Sequence, residues 1–127
     1  SHVNEMMRRC LAADLIEDQQ SRDFMFTYIR VDPFFHRSGY VLQKMLRRAK
    51  SLELSEPEKA IVRAAIFSRI KTRGGREFCE LCRLIPKVAD DKFLSKLMCN
   101  VELQHPGVRH RATFAQSYLP SANRLCE

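Results

Sequence analysis

No apolar run in this 127-residue chain approaches the ~18 residues that a membrane-spanning helix needs, and no stretch reads as a signal peptide. Glycine is scarce, at four residues. Its one adjacent pair, Gly74-Gly75, lacks the Gly-Lys-Ser/Thr ending that gives a phosphate-binding loop its lysine and hydroxyl. The five cysteines are an odd number without secreted-scaffold spacing, which points to a reducing, intracellular compartment. Cys79 and Cys82 form a lone CxxC inside a helical pattern. Zinc needs two more ligands, and Cys10, Cys99, Cys126 and the four histidines show no finger spacing, so core thiols are expected. His105 and His110 have no paired carboxylate nearby and read as surface residues. No nucleophile, base and orienting group stand out together. The expectation is therefore no catalytic residue, no metal, no cofactor and no enzymatic role.

Hydrophobic residues make up 45% of the chain, which argues for a folded core rather than disorder. No repeat, low-complexity tract or linker divides it, so residues 1–127 read as a single domain. The opening Ser1-His2, in place of a methionine, reads as an excised piece of a longer protein. Lysine and arginine outnumber aspartate and glutamate 22 to 15, for a net charge of +7. A scattered basic surface is the first reading of that excess, and contact with nucleic acid or an acidic partner is the second.

The chain is organised around residues 52–68. Ser55 can cap a helix, Pro57 fits its first turn, and Glu58 completes a capping box. Ile61, Val62, Ala64, Ala65, Ile66 and Phe67 then form an apolar arc wide enough for a helix buried on more than one side. Before it, residues 3–17 carry three-and-four apolar spacing and read as a helix, with residues 18–21 as its exit. Residues 24–31 are rich in aromatic and β-branched side chains and predict a short strand or hairpin arm. Residues 34–40 read as a loop, with Phe34 and Phe35 folding back onto the core.

Residues 41–52 predict a further helix. Its basic side, Lys44, Arg47, Arg48 and Lys50, reads first as solvated and otherwise as a contact for an acidic or nucleic-acid partner. After the central helix, Gly74-Gly75 is a stop. A short helix is expected over residues 76–85, a longer one over 88–103 and a last one over 109–118. Leu81, Leu84 and Ile85 match the spacing of a groove-docking helix, and core packing is the first reading of that pattern too. The fold class is all-α: about six helices in layers, with one short β-hairpin.

Two stretches carry a family likeness. Leu52-x-Leu54-x-x-x-Glu58-x-Ala60-Ile61-x-x-Ala64 resembles the join between the seventh and eighth helices of nuclear receptor ligand-binding domains. Arg111, followed eight residues later by Leu119-Pro120, resembles the end of that family's tenth helix. Residues 93–106 are similar to its ninth helix and exit loop, residues 23–31 to its small hairpin, and residues 3–16 to the end of its fifth. The family's activation helix and two-finger zinc module have no counterpart among these residues, so ligand gating and coactivator docking do not carry over.

The resemblance implies a regulatory domain in transcription control, nuclear rather than cytoplasmic, acting as a homo- or heterodimer. It implies a dimer face at Lys92, Lys96, Asn100, Arg109, Thr113, Gln116, Ser117 and Leu119. It also implies a lipophilic-ligand pocket lined by Phe24, Phe26, Tyr28, Leu42 and Met45, for which plain core packing is the alternative. Nucleic acid would be reached through a domain outside these residues, and no membrane contact is implied. The competing class is a small ligand-free helical adaptor of a protein or RNA–protein complex. It rests on the basic excess and on Arg47, Arg48, Arg69, Lys71, Arg73 and Arg76 flanking one helix pair. A single Arg73-Gly74-Gly75 adds little to it.

Overall fold

The fold is seen in a computed structural model, described here over residues 1–33, 38–102 and 105–120. Among the described residues it consists of eight helices and no strand. α1 (His2–Ala12) starts at Ser1, whose hydroxyl accepts from the Asn4 amide, and turns Met6 and Cys10, one helical turn apart, into the core. A turn then leads to Asp18. Its carboxylate accepts from the amide of Ser21 at 3.0 Å and from the Ser21 hydroxyl at 2.8 Å. Residues 18–21 are thus not the exit of the first helix but the start of the second.

That second helix, α2 (Gln19–Val31), replaces the expected strand or hairpin arm. Its buried residues are Ser21, Met25, Phe26, Tyr28 and Ile29, while Asp23, Thr27 and Arg30 are exposed. That is a helical period. The aromatic and β-branched content favoured a strand, but the Asp18 cap and burial on a 3.6-residue repeat outweigh a propensity of this kind, whose whole range is only ~1 kcal/mol. α2 ends at Asp32, which takes the left-handed conformation (φ 49°) and donates its amide to the carbonyl of Tyr28.

α3 (Ser38–Lys50) starts earlier than predicted and takes in Ser38, Gly39 and Tyr40, which the sequence placed in a loop. The expected inward fold of Phe34 and Phe35 lies outside the described residues. α4 (Glu56–Thr72) has both halves of the capping box: the Glu58 amide donates to Ser55 Oγ at 3.3 Å, and the Ser55 amide to Glu58 Oε1 at 2.8 Å. It buries Val62, Ala65, Ile66, Phe67, Arg69 and Ile70, an arc of more than half its circumference, while Ala64 and Ser68 stay exposed. It packs against α2 on one side and, on others, against two short helices, α5 (Arg76–Cys82) and α6 (Ile85–Val88), and against the last helix, Pro106–Gln116. Leu81, Leu84 and Ile85 are all buried, so the groove-docking pattern belongs to the core.

The long helix expected over 88–103 is divided. Ala89 is extended, and Asp90 accepts from the Phe93 amide to begin α7 (Asp91–Val101). α8 (Pro106–Gln116) begins at His105, whose Nδ1 accepts from the Val108 amide, and packs against α7 as a helical hairpin.

Two bidentate ion pairs lock α2 to α4. Near the helix starts, Arg22 Nε and Nη2 donate to Glu58 at 2.7 and 2.8 Å. At the helix ends, Arg69 Nε and Nη2 donate to Asp32 at 2.6 and 3.0 Å, and its Nη1 donates to the Gly74 carbonyl at 3.1 Å. The side chain of Arg69 is 3% exposed. The pairs lie about 15 Å apart along α2 and about 16 Å apart along α4 at the helical rise per residue, so the two helices run parallel in one register. Removing a single partner of a buried pair strands the other charge. Arg69→Leu is therefore expected to cost about 3 kcal/mol in urea denaturation. Asp32→Asn combined with Arg69→Leu is expected to cost less than the sum of the two single changes. Ser55→Ala, which removes half of the capping box, is expected to cost about 1 kcal/mol in the same assay.

Candidate functional site

The residues implied as a ligand pocket lie in the core. Phe26, Tyr28, Leu42 and Met45 are buried, and the half-buried Phe24 packs against them. Tyr28 donates its hydroxyl to the Ser38 carbonyl at 3.3 Å, and burial, helped by the Asp32 charge, pushes its pKa up. Phe26 borders an open cleft of about 400 Å³ between α2 and α4, beside Gln19, Asp23 and Glu58. The other four line none of the clefts described here.

The implied dimer face divides. Lys92, Lys96, Arg109, Thr113 and Ser117 are exposed on α7 and α8 and the turn that follows. Asn100, Gln116 and Leu119 are buried within the chain, so these three cannot present side chains to a partner in this conformation. Asn100 donates Nδ2 to the Lys96 carbonyl. Leu119, assigned to the dimer face by the family resemblance, is instead part of the buried core.

Of the expected core thiols, Cys10 and Cys82 are buried, but Cys79 is half-buried and Cys99 is exposed. Among the described residues the four thiols are free. Cys10 donates to the Ser21 carbonyl at 3.0 Å, and burial, with the nearby Asp18 charge, raises its pKa to about 11. Burial likewise pushes the Cys82 thiol up, with the neighbouring Cys79 adding to it. Both are held in the protonated form, the opposite of a reactive thiolate. Cys126 lies outside the described residues. Among the described residues no three His, Cys, Asp or Glu side chains gather closely enough to hold a metal ion. No described helix is long and apolar enough to cross a membrane.

The basic residues adjacent in sequence are separated by the fold. Arg47 donates to Glu80 at 3.1 Å. Arg48 donates to the carbonyls of Cys10 and Ala13 and so pins the end of α1. Arg69 is the buried clamp already described. Other basic side chains border two further clefts. One, of about 250 Å³ between α4 and α7, has Phe67 and Phe93 as its floor, their ring centroids 5.0 Å apart. Lys96 stands 4.5 Å above the Phe67 ring, and Lys92, Arg63 and Asp90 form the rim.

The other, of about 310 Å³, lies between Gly74-Gly75 and α8, against Phe78, His110, Arg111 and Phe114. Arg111 donates Nε to the Ile70 carbonyl at 2.7 Å, which satisfies an acceptor in the last turn of α4 and sets α8 against that end of it. The sequence signalled this second cleft only through Gly74-Gly75, which read as a stop. Its other wall comes from residues more than thirty positions later.

Comparison of the chain with protein-family models, with curated proteins and with solved structures finds no match in any of the three.

Two carboxylates are held below their usual range. For Glu58, burial acts to raise the pKa, but the Arg22 guanidinium and the Ser55 amide and hydroxyl outweigh it. Asp18 is lowered to about 2 by the Ser21 amide and hydroxyl and by Arg9. A depressed carboxylate contributes stability that is present above its unfolded pKa and lost as pH falls through the folded one. The urea midpoint is therefore expected to hold above about pH 5 and to drop steadily below about pH 4. Glu58→Gln should lower the midpoint at neutral pH and flatten that acid slope; an unchanged slope would contradict the assignment.

Proposed function

We propose that this chain is a helical interaction domain of the nuclear receptor ligand-binding-domain type, working in transcription control through contact with a protein partner. The observation that supports the reading best is the position of α4. The helix that carries the family-like Leu52-to-Ala64 pattern lies between α2 and α8, with its capping box formed. The Arg111 helix packs directly beside it, through the bond from Arg111 to Ile70. A nuclear location goes with this reading. It needs no lipophilic ligand among Phe24, Phe26, Tyr28, Leu42 and Met45, because those side chains fill the core.

The partner-facing surface in this reading is the exposed side of the α7–α8 hairpin, at Lys92, Lys96, Arg109, Thr113 and Ser117. These are polar and charged positions. A contact built on them is a rim-like, transient one, set by charge pairing more than by apolar area. The large apolar residues exposed among the described positions, Val3, Ile16, Val31, Tyr40 and Met98, come from different elements, so no described helix alone presents an apolar stripe.

Sedimentation velocity of the purified chain tests this. Association at high protein concentration is expected, weakened by salt and abolished by Lys96→Glu with Thr113→Glu at an unchanged urea midpoint. Leu119→Arg is expected to lower the midpoint instead, by about 3 kcal/mol, since it forces a charge into a buried site. A chain that stays monomeric throughout, or an association indifferent to the double substitution, would count against the reading.

A further inference from the structure

Several exposed cations gather at the end of α4, while others, Lys50, Lys92 and Lys96, lie elsewhere. Lys71 and Arg76 are exposed and have no ion-pair partner among the described residues. Arg30, in the last turn of α2, is brought close to them through the Asp32–Arg69–Gly74 linkage. Arg109 and His110, in the first turns of α8, join the same end because Arg111 is bonded to the Ile70 carbonyl. Of the acids at this end, Asp32 is engaged by Arg69 and Arg73 and Glu77 by Arg69 at 4.0 Å, and the exposed Glu102, after α7, is outnumbered by Arg30, Lys71, Arg76 and Arg109. The exposed acids Asp14, Glu17, Asp23 and Glu53 lie toward the opposite end, around the start of α2 and the approach to α4. The field at the α4 end is therefore positive on balance.

Within that end lies the cleft between Gly74-Gly75 and α8. Its aromatic wall is the half-buried Phe114, backed by Phe78 at 5.8 Å and by the edge-on Tyr118 at 5.4 Å. Gly75 has a φ of +95°, so the rim carries no side chain that would close the cleft. A volume of about 310 Å³ holds one planar ring and is too short for a docked helix.

We propose that this cleft and the cations around it bind single-stranded nucleic acid, with a base stacked on Phe114 and the adjoining phosphates on Lys71, Arg76 and Arg109. An aromatic face flanked by cations is the arrangement such strands use, because every base has a face to stack and every linkage carries a charge. This goes beyond the partner-binding reading: it shares only Arg109 with that surface and does not depend on α7.

Fluorescence anisotropy with a labelled uridine oligomer of about 12 nucleotides tests it, at salt from about 50 to 300 mM. Three neutralised phosphates predict a slope of about −2 in log affinity against log salt. Reversing the three cations (K71E, R76E, R109E) should weaken binding at least ~10-fold, and F114L, which keeps every charge, several-fold. A control triple at the opposite end (R8E, K50E, K59E), reversing as many charges, should stay within about 2-fold. Circular dichroism checks that each variant is folded. Absence of salt-sensitive binding, equal losses from both triples, or an aspartate-rich peptide of matched charge binding as tightly as the oligomer would each overturn the assignment.

Discussion

Everything in this domain hangs on the parallel alignment of α2 and α4, and two arginine–carboxylate clamps hold that alignment. One clamp would allow the helices to splay about it. Two, at matching spacing along both helices, fix direction and register together. A guanidinium meets a carboxylate along two parallel bonds, so each pair resists rotation as well as separation. Burying these charges is not in itself a source of stability, since desolvation offsets much of the attraction. What the pairs contribute is uniqueness, because a shift of α2 by one residue would leave Arg69 buried without its acid.

The clamps also tie local structure to tertiary structure. Glu58 closes the capping box of α4 through Oε1 and receives Arg22 from α2 on both of its oxygens. Asp32 ends α2 in a left-handed turn and receives Arg69 from α4. Each residue that begins or ends a helix is thus also a residue that places it. Arg69 reaches further, to the Gly74 carbonyl, and so fixes the loop from which the cationic cleft is built.

The start of α4 was legible in the sequence because a capping box is local: three positions suffice to specify it. So were the Gly74-Gly75 stop and the α-helical class. α2 was misread because its aromatic and β-branched residues argue from composition, whereas its helical form follows from Asp18 and from burial on Ser21, Met25, Tyr28 and Ile29. The surface was the least legible part. Arg47, Arg48 and Arg69 look like members of a basic run, yet each is occupied by a partner more than thirty residues away. Arg109 and Arg111, remote in sequence, supply charge there instead. Asn100, Gln116 and Leu119 were placed on a partner-binding face by analogy with a helix pair, and only packing reveals that they turn inward.

Amide hydrogen exchange tests the central claim most directly. If α4 is the clamped middle layer, its amides from Val62 to Ile70 exchange only by global unfolding, those of Met25 to Ile29 in α2 share that same opening free energy, and α1 exchanges faster. Amides of α4 exchanging as fast as those of α1, or α2 opening independently of α4, would contradict it.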